Sequence, residues 1–104
     1  MKSVLFTPDA AEDIINTRNY IADVLKNPEA ADRLVQKLMD NAENLSDNPE
    51  IGMKLSSRFG IETDYRYLVL DKHIIVYRID DSNVRIIRVF NGRQDYLKDL
   101  FPGI

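Results

Sequence analysis

Between Tyr65 and Phe90 the chain runs through three stretches rich in Val, Ile and Tyr (YRYLVL, HIIVYRI and VRIIRVF), separated only by Asp71-Lys72 and Asp80–Asn83. Joins this short cannot return a chain to begin a parallel strand, which needs a crossover of a dozen residues or more. The three stretches therefore predict an antiparallel meander, two hairpins that share the middle strand. A two-residue turn at Asp71-Lys72 sets the register, with Leu70 facing His73, Leu68 facing Ile75 and Arg66 facing Tyr77. If Ile79 faces Val84 across the second turn, Tyr77 falls opposite Ile86 and Ile75 opposite Arg88. Opposed residues share a face of the sheet. The register thus gathers Arg66, Tyr77 and Arg88 on one face and places Arg78 with Arg85 on the other.

Such a sheet needs a cover, and the first half of the chain offers one. Ser3–Phe6 reads as a short strand. Thr7-Pro8-Asp9 then starts a helix: Thr7 can cap, Pro8 suits the first helical position, and Asp9 favours the positive helix end. Ile14, Ile21 and Leu25 follow at helical spacing. Asn27-Pro28-Glu29 repeats the start signal, so one helix ends there and another begins. Ala31, Leu34, Val35, Leu38, Ala42 and Leu45 give the second helix one apolar stripe. The short join predicts an antiparallel helical hairpin. Asn48–Gly52 is a turn cluster, and the pattern from there to Asp64 is irregular. Arg93–Phe101 reads as a short helix anchored by Tyr96, Leu97 and Leu100, ended by Pro102-Gly103. The expected fold is α+β, in the order β-α-α-β-β-β. It has an antiparallel sheet, an N-terminal helical hairpin on one face and a short C-terminal helix. Residues 1–104 are expected to form a single domain.

Composition narrows the function. The chain has no cysteine and one histidine. Disulfides and thiolate metal sites are excluded, a histidine metal site is disfavoured, and no cofactor is expected. No apolar run approaches the ~20 residues that span a bilayer. The N-terminus, MKSVLFTPDAAED, turns acidic after a short apolar run, unlike a signal peptide. The expectation is a cytoplasmic protein with no membrane partner. Net charge is −3, divided as −5 over residues 1–52 and +2 over residues 53–104. This describes an acidic body with a modest basic surface.

Arg66 and Arg88 on one face beside Tyr77, with Arg93 just past the last strand, point to an anion site. The forked guanidinium donors match phosphate oxygens, and their charge does not titrate away. The alternative is structural: each stem lies on the sheet and each head pairs with an acid at the rim. The C-terminal Leu97, Leu100, Phe101 and Ile104 are a candidate docking surface for a partner; the favoured reading has Leu97 and Phe101 closing the core.

Five pieces, TPDAAEDI (Thr7–Ile14), YIADVLKNPEAAD (Tyr20–Asp32), LSDNPEIG (Leu45–Gly52), YRYLVLDKHIIVYRI (Tyr65–Ile79) and VRIIRVFNGRQD (Val84–Asp95), run through nearly the whole chain. Together they resemble the RelE/ParE superfamily of toxins from type II toxin–antitoxin modules. The resemblance implies a growth-arresting toxin neutralised by a cognate antitoxin. It implies one of two targets: RelE-like members cleave mRNA inside the ribosome, and ParE-like members poison DNA gyrase without a known catalytic step. Arg66 matches the cleaving branch's phosphate contact, and Asn91 stands where that branch often has histidine. If the chain were RelE-like, Arg66, Arg88, Asn91, Arg93 and Tyr96 would carry the chemistry.

That chemistry needs a base for the 2′-hydroxyl, an acid for the leaving oxygen and positive charge for the transition state. Asn91 cannot exchange protons. Tyr77 and Tyr96 are phenols, poor bases near neutrality. His73 reads as an exposed turn residue, and Glu50 and Glu62 as solvated loop acids. The acidic balance, the NPEAAD segment and Asn91 favour the ParE-like branch. The alternatives are a RelE-like endonuclease and a non-toxic interaction domain of the same fold.

Overall fold

A computed structural model describes residues 1–92 and 96–101. The strands are β1 (Ser3–Phe6), β2 (Met53–Lys54), β3 (Arg66–Leu70), β4 (His73–Ile79) and β5 (Asn83–Asn91). The helices are α1 (Pro8–Asn19), α2 (Pro28–Asp47), α3 (Leu55–Phe59) and α4 (Tyr96–Leu100). The expected α+β architecture is observed, and no described helix is long and apolar enough to cross a membrane. Both helix starts follow the local chemistry. Thr7 Oγ1 accepts from Ala10 N–H at 3.1 Å and Asn27 Oδ1 from Ala30 N–H at 3.2 Å, each with proline next in the chain. Helix α1 widens into a π-helical turn over Tyr20–Val24, and Lys26, at φ 53°, swings the chain into α2.

The sheet order is β1-β5-β4-β3-β2. Strands β3, β4 and β5 form the expected meander. Strand β1 adds a parallel edge beside β5, so the sheet is mixed. The crossover from β1 to β5 contains both long helices, enough chain for a parallel return. The β3/β4 register is the one the turn length dictates, with Arg66 opposite Tyr77 and Leu70 opposite His73.

The β4/β5 register holds from Ile79–Val84 to Tyr77–Ile86 and then slips at a bulge, so that Val76 opposes Arg88. One extra residue sends every later side chain of β5 to the other face. This corrects the expected grouping: Arg88 lies on the face opposite Arg66 and Tyr77. The cause lies at the β5 edge. Beyond Phe6 the chain leaves the sheet, and side chains replace strand β1. Thr7 donates its hydroxyl to Ile87 O at 2.7 Å, and Asp13 accepts Val89 N–H at 2.9 Å.

The sheet separates two apolar clusters. The hairpin face buries Ile75, Tyr77, Val84, Ile86 and Val89 against Ala10, Leu38, Ala42 and Leu45. The other face buries Tyr67, Val76 and Phe90 with Leu55, and Leu97, Leu100 and Phe101 pack against it. The C-terminal apolar residues thus close a second core. Ile104, with Pro102-Gly103, lies outside the described residues.

His73 departs from its expected exposure. It opens β4 on the face shared with Leu70 and Ile75, is only 8% exposed, and its Nδ1 has no hydrogen-bond partner among the described residues. Desolvation pushes its pKa down, against an opposing pull from Asp71. The unfolded chain therefore binds a proton near pH 6.5 that the folded chain resists. Stability due to this group is full above pH 6.5 and falls as pH drops from there through the depressed folded value. Urea midpoints at pH 7.5 and 5.5 should fall more in the wild type than in His73→Leu. Equal losses would deny His73 this role.

Candidate functional site

Arg66 begins β3, opposite Lys54 on β2 and Tyr77 on β4. Its Nη1 donates to Gly52 O at 2.9 Å and Glu50 O at 3.3 Å. The Pro49–Gly52 loop that carries those carbonyls is itself held by Tyr77. The buried Tyr77 hydroxyl donates to Pro49 O at 2.7 Å and accepts Gly52 N–H at 2.9 Å. Burial pushes the Tyr77 phenol up, outweighing the opposing pull of the Gly52 hydrogen bond and of Arg66. Tyr77 is thus a loop anchor rather than a source of protons at the surface. Arg66 is left with Nε and Nη2 unbonded among the described residues, and Lys54 meets no described acid.

These two cations border an open cleft of about 310 Å³, lined also by Ser56, Thr63, Asp64, Tyr65 and Ile79. The Asp64 carboxylate is taken by Arg78 Nη2 at 3.0 Å. The cleft offers fixed positive charge and hydroxyl donors, a set suited to an anionic oxygen.

The other sequence candidates among the described residues do not line this cleft. Arg88 makes a bidentate pair with Asp13, Nε at 2.8 Å and Nη2 at 2.9 Å, and lies 4.7 Å from the Phe90 ring centroid. The pair holds its proton more tightly than an ordinary arginine does, chiefly through the hydrogen bonds to Asp13. Arg88 is therefore neutralised within the chain, the structural alternative of the sequence reading. Arg78 and Arg85 pair across the strands and share Asp80. Asn91 ends β5, exposed and opposite His73. Arg93 and the Tyr96 side chain lie outside the described residues.

A second feature has different chemistry. Phe6, Ala11, Ile14, Ile15 and Met39 line an apolar groove of about 260 Å³ between α1, α2 and the end of β1. Ile15 is 56% and Met39 38% exposed.

The family model described as the ParE toxin of the type II toxin–antitoxin system parDE matches residues 4–96. The chain belongs to the ParE toxin family. Among solved structures it is similar to one titled as the chromosomal ParDE toxin–antitoxin system from P. aeruginosa, at 23% identity and TM-score 0.72. That match covers 88% of this chain and 96% of the other. It is also similar to the toxin–antitoxin complex RelBE2 from Mycobacterium tuberculosis, at 25% identity and TM-score 0.62, covering 86% and 96%. A mutant of YafQ from E. coli matches at 18% identity and TM-score 0.51, covering 93% and 98%. The 23% and 18% matches speak for the fold alone. No curated protein matches the chain.

For this ParE-family toxin, sequence reasoning found Arg66 and missed Lys54. Lys54 stands in a two-residue strand inside a stretch without periodicity, so only its pairing with Arg66 marks it. The apolar groove was missed as well. Its signal was present as Ile14-Ile15, two adjacent apolar residues on a helix of which only one can face the core directly.

Proposed function

We propose that this ParE-family toxin arrests growth by binding DNA gyrase, without cutting a nucleic acid. One observation carries the reading: among the described residues the cleft at Arg66 holds no imidazole, and the carboxylate lining it, Asp64, is tied to Arg78. His73 and Tyr77 are buried, and Asn91 cannot exchange protons. Charge without a proton-transfer pair supports binding rather than hydrolysis. Purified gyrase should lose supercoiling activity when the toxin is added in slight excess. Full activity at saturating toxin would reject the proposal.

The Arg66–Lys54 pair, which no described acid neutralises, favours a second reading, a RelE-like ribosome-dependent endonuclease acting on mRNA phosphates. Discrete cuts within reading frames, found by primer extension after induction, would establish it. Under either reading Arg66→Ala together with Lys54→Ala should abolish growth arrest while leaving the far-ultraviolet circular dichroism unchanged. A folded double variant that still arrests growth would remove the cleft from the function.

We further propose that a cognate antitoxin neutralises the toxin by laying an amphipathic segment in the apolar groove. The structures titled as ParDE and RelBE2 toxin–antitoxin assemblies support a partner of this kind. Ile15→Glu, at an exposed position, should weaken antitoxin binding by about 30-fold or more, as burying an unpaired charge costs several kcal/mol. Unchanged affinity in calorimetric titration would move the antitoxin elsewhere.

A further inference from the structure

We propose that Met39 is a modification site: a peroxide oxidises its thioether while the groove is unoccupied, and the sulfoxide keeps the antitoxin from binding. The inference rests on the groove being the antitoxin seat. Met39 supplies the only sulfur among the groove's lining residues and is 38% exposed, so an oxidant reaches it from solvent. Its neighbour Leu38 is 2% exposed and belongs to the core, which leaves Met39 at the helix boundary between core and groove. The chain contains no cysteine, so no thiol of its own intercepts the oxidant first. Met1 is at the chain terminus and Met53 is on edge strand β2; neither lines the groove.

In the reaction the sulfur lone pair attacks one peroxide oxygen and an S–O bond forms. The O–O bond breaks, and the second oxygen leaves as water after a proton shift. The sulfur loses two electrons and the peroxide gains them. A flexible apolar wall becomes a polar one with a strong acceptor. An apolar antitoxin side chain has no donor to offer it, so the sulfoxide must stay hydrated or be buried unpaired. Free toxin then accumulates under oxidation until a sulfoxide reductase restores the thioether.

The probe is the antitoxin that suppresses growth arrest on co-expression, titrated against toxin with and without hydrogen peroxide, with mass spectrometry locating the added oxygen. The wild type and Met53→Leu should lose about 10-fold in affinity, and Met39→Leu, which keeps the apolar bulk, should lose none. Wild type oxidised at Met39 that binds undiminished overturns the inference, as does an equal loss in Met39→Leu. Ile15→Glu separates the two layers. If it abolishes binding while Met39 oxidation does nothing, only the redox inference falls. If it binds normally, the groove reading falls and takes this inference with it.

Discussion

Asp13→Ala should cost about 3 kcal/mol of folding stability, more than the exchange of any other described charged residue. Its carboxylate accepts from Arg88 Nε, Arg88 Nη2 and Val89 N–H, all within 2.9 Å. The Asp13 and Arg88 side chains are only 15% and 25% exposed, so water replaces little of what is lost. Removing the acid strands a guanidinium against Phe90 and leaves an edge N–H of β5 unpaired beside it. Arg88→Ala should cost less, because Asp13 keeps Val89 and regains some solvent. The double variant should be less destabilised than the sum of the two losses, with a coupling of about 1–2 kcal/mol in a urea-denaturation cycle. A single-mutant loss below about 1 kcal/mol would mean that the clamp is not what holds the bulged end of β5. Domains of this size hold only about 5–15 kcal/mol in reserve, so the predicted loss should also lower the amount of toxin in the cell.

Gly52→Val should be comparably damaging, at about 2–4 kcal/mol. A Cβ at this position would overlap the Tyr77 hydroxyl and stand 2.7 Å from its Cε1 and 2.9 Å from the Tyr67 carbonyl oxygen. Neither neighbour can retreat, since Tyr77 is fully buried and the Tyr67 oxygen is backbone. Relief requires moving the loop, which breaks both Tyr77 hydrogen bonds and withdraws the Glu50 and Gly52 carbonyls from Arg66. Growth arrest should therefore weaken along with stability. Removing the obstructing hydroxyl tests the cause: Gly52→Ala combined with Tyr77→Phe should be less destabilised than the sum of the two singles. Strict additivity in denaturation midpoints would show that the steric account is wrong.

Much of this geometry is legible in the amino acids, and the failures have physical causes. The β3/β4 pairing followed from a two-residue turn. The same counting failed past Ile86, because the bulge answers to Thr7 and Asp13, some 75 or more residues upstream in the chain. Arg66 and Tyr77 were rightly placed as neighbours, yet their roles came from the loop between Pro49 and Gly52, whose position no periodicity encodes. His73 looked like a turn residue because it follows Asp71-Lys72, and its burial depends on what packs over β4.

The amino-acid order by itself determined the helix starts, the antiparallel meander, the apolar stripe of the hairpin and the likeness to a toxin family. These rest on interactions within a few residues, where proline, capping oxygens and turn length decide the geometry. Only the tertiary structure decided which face Arg88 takes, which acid silences it, and which cation stands beside Arg66. A strand edge must satisfy its backbone groups with whatever segment arrives there, and that segment comes from the far end of the chain.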